Sequence, residues 1–195
     1  SSDVCSSDLE KADVPAERQF VGLDAYRKVL DSGVDVVILA TPPGFRPLHL
    51  KAAIEAGKHV FAEKPMAVDG PGVRMVLEAA AEAKKKNLSL VSGFCWRSHY
   101  PKRETFRRVL DGEVGDLHTV YSTYNTGPVK PDKAENPAWS SLETQVRNWY
   151  QFAWLSGDHI VEQAVHSLDM MAWAMGDVVP LRCMGNGGQI GRAHV

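Results

Sequence analysis

The sequence predicts an α/β protein built around half of a doubly wound parallel sheet. Three observations carry this. Gly33–Thr41 is a continuous Val/Ile/Leu-rich run, and two further short apolar runs follow at His59–Ala62 and Ser89–Phe94. Helical patterns with short loops separate the three runs. Strand–helix–strand–helix–strand with such loops means βαβ units and a parallel sheet, and right-handed crossovers make this half of a doubly wound fold.

Each element has its own reason. Asp24–Ser32 spaces Tyr26, Val29 and Leu30 along one helical face, with Asp24 as N-cap. The run Gly33–Thr41 is apolar enough to suit a strand buried on both faces. Pro42-Pro43-Gly44 breaks it, and Arg46–Ala56 is the next helix, closed by Gly57. Gly72–Lys86 is a long helix with Val73, Val76, Leu77, Ala80 and Ala83 expected inward. A helix runs from Pro101 to Asp111 and ends at Gly112, and Asp116–Asn125 has the mixed pattern of a one-faced strand. Gly127–Asn148 is polar and Pro-bearing, so it reads as a long loop, a kind that usually lines a site or an interface. Trp149–Leu155 reads as a short helix, and Asp158–Met175 as one longer helix closed by Gly176.

Bulk properties bound the partners. The 195 residues are 44% hydrophobic and 24% charged, with a net charge of −2. No basic surface points to nucleic acid, and no apolar run reaches the roughly 20 residues a membrane helix needs. Cys5, Cys95 and Cys183 have neither metal-knuckle nor disulfide-framework spacing. Both ends read as foreign. SSDVCSSDL at 1–9 and IGRAHV at 190–195 can be encoded by reverse-complementary strings, as expected of translated sequencing adapter, and such scars are set aside before fold reasoning. The strand–GxGxxG–helix unit that opens a doubly wound nucleotide domain is absent, so the chain is expected to be a piece of a longer one. Such a piece would bind a dinucleotide weakly and expose an unpaired strand edge.

Candidate chemistry gathers at the C-terminal ends of the strands, where open α/β sheets bind ligands. Glu63-Lys64-Pro65 follows the second strand; it is either a cofactor and substrate contact or a strand-end salt bridge. Thr41-Pro42-Pro43 follows the first strand, as a cofactor groove or a plain proline turn. Phe94, Trp96, Arg97 and His99 follow the third, where rings can flank a planar ligand and Arg97 can anchor an anion, or all can serve packing and ion pairing. The densest polar cluster is Asp158–Asp169. On one helix His159, Glu162, His166 and Asp169, spaced three, four and three apart, share a stripe. A neutral imidazole there suits proton abstraction from a hydroxyl, and a carboxylate one turn earlier can fix its tautomer. A solvated charged face and a metal site remain as alternatives, although no second ligand cluster completes a dinuclear site.

Taken together, VDVVILATPP, HLKAAIEAGKHVFAEKPMAV, SGFCWRSHYP, LDGEVGDL and EQAVHSLD resemble, in order and spacing, the Gfo/Idh/MocA oxidoreductases. The resemblance implies the C-terminal part of a Rossmann domain at 10–115, binding NAD or NADP. It also implies the N-terminal part of an α/β domain with an open, mostly antiparallel sheet at 116–189. By position Lys64 matches the lysine of the EKP motif, and His166 the catalytic histidine. Glu162 stands where the family usually has aspartate, Ala164 where glycine is common, and Arg46 where many members carry an asparagine- or histidine-containing loop. The implied reaction is hydride transfer between NAD(P) and a secondary alcohol of a sugar, sugar derivative or cyclitol. Lys64, His166 and Glu162 would be catalytic. Thr41, Pro42, Pro43, Glu63, Lys64, Trp96 and Arg97 would line the cofactor, and Asp158, His159 and Asp169 the substrate; no metal is assigned. An NAD-dependent glycosidase on the same fold is the first alternative, and a metal-dependent or non-catalytic sugar-binding protein the second. The full-length protein is expected to be a cytoplasmic homo-oligomer, with twin-arginine export as the other possibility for its location.

Overall fold

A computed structural model of the chain describes residues 14–127 and 136–187. The adapter-like segments at 1–9 and 190–195 lie outside the described residues, as does part of the 127–148 loop. The chain divides into two compact units, Ser1–Cys95 with Tyr124–Val165, and Trp96–Thr123 with His166–Val195.

The first unit holds the sheet. Strands β1 (Val36–Leu39), β2 (His59–Ala62) and β3 (Leu90–Ser92) pair in parallel in the order β1-β2-β3. Helix α1 (Ala25–Asp31) precedes β1, α2 (Arg46–Glu55) links β1 to β2, and α3 (Gly70–Lys85) links β2 to β3. The predicted βαβαβ order is therefore the observed one. Leu50, Ala53 and Ile54 of α2 and Ala79 and Ala83 of α3 form one core with Val37, Leu39, Val60 and Ala62 of the sheet. Burying a side chain such as Leu50 or Ile54 contributes about 1.5–3 kcal/mol.

Two packing expectations need correction. Strand β1 is not buried on both faces, because α2 and α3 share one core. Val37 and Leu39 point into it, while Val36 and Ile38 stay 59% and 72% exposed. An open apolar cavity of about 710 Å³ lies against this other face, lined by Tyr26, Val29, Val36, Ile38, Phe45 and Leu48 among others. Helix α3 buries Gly72, Ala79 and Ala83, with Val76 packed beside them, and not Val73 and Leu77, which are 48% and 64% exposed. Small residues win the inward face because α3 lies close to its neighbours. A Cβ on Gly72 would meet Pro47 Cγ at 3.0 Å and Asp69 Oδ1 at 2.9 Å. Asp69 caps this helix by accepting from the Gly72 amide at 2.7 Å. Asp24 holds the N-cap position of α1 but makes no capping bond; its carboxylate pairs with Lys28.

The rest of the first unit is a run of short helices: α5 (Ser141–Arg147), α6 (Ala153–Ser156) and α7 (Asp158–Glu162), numbered after α4 (Tyr100–Leu110), which belongs to the second unit. The expected long loop thus contains a helix, capped by the Ser140 hydroxyl on the Glu143 amide. Trp149–Leu155 is a single 3₁₀ turn (Trp149–Gln151) followed by α6. Leu155 and Ser156 are fully buried. They sit close against the turn after β1, where a Cβ on Gly44 would lie 2.5 Å from the Trp154 carbonyl oxygen. Glycine is thus required at 44 for the two segments to touch.

The second unit contains α4 and α8 (Val165–Ala174, its body from His166 onward). Phe106 stacks on Trp173 with centroids 4.3 Å apart, and the Ser167 hydroxyl donates to the Thr123 carbonyl. The strand expected at Asp116–Asn125 is irregular. A strand is defined by its ladder, and the described residues supply this segment with no partner strand.

Candidate functional site

The single helix expected over Asp158–Met175 is two. It breaks at Gln163-Ala164, between α7 and α8, and both of these amides bond back to the His159 carbonyl. The break coincides with a long-range contact. In a continuous helix the Glu162 carbonyl accepts from the amide four residues on; here it accepts from Lys64 Nζ at 2.5 Å. The side chain of Gln163 is likewise engaged elsewhere, donating to the Tyr150 hydroxyl. The spacing argument that aligned His159 and Glu162 with His166 and Asp169 ends at this break.

What replaces the stripe in the first unit is a buried polar cluster at the C-terminal ends of β1 and β2. Lys64 follows β2 through Glu63, and its peptide bond to Pro65 is cis. Besides the Glu162 carbonyl, its ammonium donates to Glu162 Oε1 at 2.8 Å, and the two side chains are only 15% and 9% exposed. Breaking a pair buried this deeply by removing one partner typically costs about 3–5 kcal/mol. The Tyr150 hydroxyl donates to the same Oε1 at 3.3 Å. Burial first, then the Glu162 carboxylate, push the Tyr150 pKa up to about 12, so the phenol keeps its proton at neutral pH. Glu162 Oε2 is buried without a hydrogen-bond partner among the described residues. An ionised carboxylate oxygen in that state is costly, and a donor from a bound molecule would relieve it.

Arg46, at the first position of α2, is 2% exposed. Its guanidinium donates to the carbonyls of Thr41, Glu63 and Pro65, tying the chain after β1 to the chain after β2. Desolvation lowers its pKa, and the Glu63 and Glu162 carboxylates oppose that shift. The cluster thus holds two cations and two carboxylates, formally neutral. Sequence reasoning noted Arg46 only as a departure from the family loop. One signal was present: a cation at a helix N-terminus opposes the macrodipole, so an arginine at that position is placed for something else. Gly93, just past β3, completes the cluster, because a Cβ there would lie 2.6 Å from Glu63 Oε2 and 2.9 Å from its Cα.

Of the other expected cofactor residues, Thr41 uses its hydroxyl on His49 Nδ1 at 3.1 Å, and Pro43 is buried in the 3₁₀ turn Pro43–Phe45 that Pro42 leads into. His49 stacks on Tyr26 at 4.4 Å, and burial, then the Arg46 charge, lower its pKa below the usual 6.5. A depressed histidine pKa means the unfolded chain binds more protons, so stability falls as pH drops below 6.5. The unfolding midpoint is therefore expected to fall between pH 7.5 and 5.5, and to fall less in His49→Asn; an equal fall in both proteins, by thermal melts, would refute the assignment. Asp158 has a left-handed backbone (φ 62°) and accepts from the His159 amide, and His159 meets Tyr124 edge-on. Both are exposed.

The second unit gathers the remaining expected residues. His166 lies against Trp96, ring centroids 5.0 Å apart, and Lys102 Nζ stands 4.7 Å from the Trp96 ring. Arg97 donates to both Asp169 oxygens at 3.0 and 3.1 Å and to Asp177 at 2.7 and 3.0 Å, over the Trp173 ring. Its pKa is raised by the Asp177 and Asp169 hydrogen bonds. The guanidinium offered to an anion on sequence grounds is thus engaged by two carboxylates, and Asp169 with it. Among the described residues no three His, Cys, Asp or Glu side chains group as metal ligands, and no helix is long and apolar enough to cross a membrane.

Comparisons with known proteins agree with this fold. Residues 2–94 match the model of an oxidoreductase family with an NAD-binding Rossmann fold. The chain is 30% identical over 142 residues to scyllo-inositol 2-dehydrogenase (NADP(+)) IolW of Bacillus subtilis, covering 72% of this chain and 36% of that protein. It is 28% identical over 169 residues to inositol 2-dehydrogenase of Leifsonia xyli, covering 86% and 42%. The chain therefore spans less than half the length of these relatives. Among solved structures, an oxidoreductase domain protein from Kribbella flavida superposes with a TM-score of 0.65 at 24% identity, over 77% of this chain and 38% of that one, a likeness of fold.

Proposed function

For a chain that belongs to the Gfo/Idh/MocA oxidoreductases, we propose that the complete protein oxidises a secondary alcohol of a cyclitol, sugar or sugar derivative with NAD or NADP. The observation that carries this reading is the buried Lys64–Glu162 pair at the C-terminal end of β2, where ligands of parallel sheets bind. The residues present fit the nicotinamide end of such a cofactor. Lys64 has one N–H beyond the two given to Glu162, and Glu162 Oε2 lacks a donor among the described residues. The bound nicotinamide supplies the hydride acceptor. Lys64 donates its remaining N–H to the substrate oxygen as that oxygen gains negative charge. Such preorganised donors stabilise transition states by roughly 3–4 kcal/mol. Glu162 fixes the ammonium in place. The hydroxyl proton is assigned to His166 on its place in EQAVHSLD, and neutral imidazole is suited to it. Thr41, Pro42, Pro43, Glu63 and Trp96 are assigned to the cofactor side, and Asp158 and His159 to the substrate side. Residues 10–115 and 116–189 are assigned to the nucleotide and substrate domains, and the complete protein to a cytoplasmic homo-oligomer. The relatives named above are called inositol dehydrogenases, which makes cyclitols the first substrates to test.

The test is spectrophotometric. The complete protein, given NAD or NADP and a panel of cyclitols and sugars, should form reduced nicotinamide in proportion to substrate consumed. Release of an aglycone without net reduced nicotinamide would assign the glycosidase instead. No cofactor-dependent conversion of any panel member would overturn the oxidoreductase reading.

A further inference from the structure

We propose that Tyr150 is a positioning residue for the reaction, holding the Glu162 carboxylate so that Lys64 is presented in one orientation. This rests on the role given to Lys64 under Proposed function. The Glu162 carbonyl anchors the ammonium, but the glutamate side chain has freely rotating torsions, so one bond from a flexible lysine does not fix its carboxylate. A second donor from another segment does. The Tyr150 hydroxyl supplies it, reaching the Oε1 that Lys64 Nζ also reaches, at 3.3 and 2.8 Å.

The direction of that bond is set by a third residue. Gln163 Nε2 donates to the Tyr150 oxygen, which leaves the single phenolic proton for Glu162. The raised pKa of the phenol agrees, since it remains a donor across the neutral range. The ring is placed independently of its hydroxyl, against Trp149 with centroids 4.7 Å apart. The sequence brings these groups together from two places: Tyr150 from the 3₁₀ turn before α6, Glu162 and Gln163 from the end of α7. Two donors on Oε1 also determine which oxygen stays open, because Oε2 is the one left buried without a partner among the described residues.

Tyr150→Phe in the complete protein removes only the hydroxyl. Losing a hydrogen bond to a charged group should lower kcat by about 10- to 100-fold. KM for alcohol and cofactor should stay within about twofold, because the bond acts on orientation and not on substrate binding. In a Glu162→Gln background the same exchange should add nothing, since the two residues act as one unit. Gln163→Met should lower kcat in the same direction, and serves if the Tyr150 variant is poorly folded. Unchanged kcat in a folded Tyr150→Phe, or in Gln163→Met where it stands in, or equal losses with and without Glu162→Gln, would overturn the proposal. Lys64→Met separates this from the reading beneath it. If Lys64→Met abolishes turnover while Tyr150→Phe is silent, only the Tyr150 role falls; if Lys64→Met turns over normally, both fall.

Discussion

Lys64→Met is expected to lower the turnover of the complete enzyme by about 10²- to 10³-fold, the usual loss when one preorganised donor to a developing oxyanion is removed. Two effects enter, and they separate. The chemical one removes the N–H donated to the substrate oxygen. The structural one strands Glu162, whose Oε1 then keeps only Tyr150 among the described residues, while Oε2 has no partner among them. A stranded buried carboxylate destabilises by about 3–5 kcal/mol, which would show as a lower denaturation midpoint. The double variant Lys64→Met/Glu162→Leu removes the stranded charge and should recover much of that stability while remaining inactive. Steady-state kinetics beside denaturant titration of both variants would decide. If activity returned with stability, Lys64 would serve the fold alone. His166→Ala belongs to the same experiment. General-base loss is worth about 10²- to 10⁴-fold in kcat, with cofactor affinity little changed; unchanged turnover would reject the histidine assignment.

The parts of this site that were legible in the sequence are those written locally. Lys64 was found because a strand, a lysine and a proline are contiguous, and the edge of a parallel sheet is where ligands bind. The βαβαβ order was legible for the same reason, since apolar runs and glycine stops are short-range signals. Arg46 was passed over because what it holds are backbone carbonyls up to 19 residues away, and every residue has a carbonyl. Tyr150 was missed because its partner Glu162 lies 12 residues on, across two helices whose bounds the sequence pattern placed differently, and no local spacing pairs them. The helix break at Gln163 was illegible for a deeper reason. It coincides with Lys64, 98 residues before Glu162, donating to a carbonyl that local propensity assigns to the helix. The inward face of α3 was legible at Val76 and Ala83, but hydrophobicity also favoured Val73 and Leu77, where close packing of α3 selected Gly72 and Ala79.

Arg46→Leu is expected to destabilise the first unit by about 3–5 kcal/mol. The opposite outcome has a real argument behind it. Burying a guanidinium is costly, its Nε has no hydrogen-bond partner among the described residues, and replacing buried ion pairs with apolar side chains is often neutral or stabilising. That rescue works when both members of a pair are replaced. Here the acceptors are the Thr41, Glu63 and Pro65 carbonyls, which no side-chain substitution can remove. A buried acceptor left without a donor costs about 1–3 kcal/mol; the Pro65 bond is buried and the Thr41 and Glu63 bonds are part-buried, and losing all three together outweighs the desolvation that leucine relieves. Arg46→Lys should recover only part of the loss, because a compact ammonium cannot reproduce a planar fork aimed at three separate carbonyls. Urea titration of the three proteins should order them as arginine, lysine, leucine in falling midpoint. A leucine variant as stable as the parent would mean that the carbonyls find water, and that the ends of β1 and β2 stay in place without the arginine that now ties them.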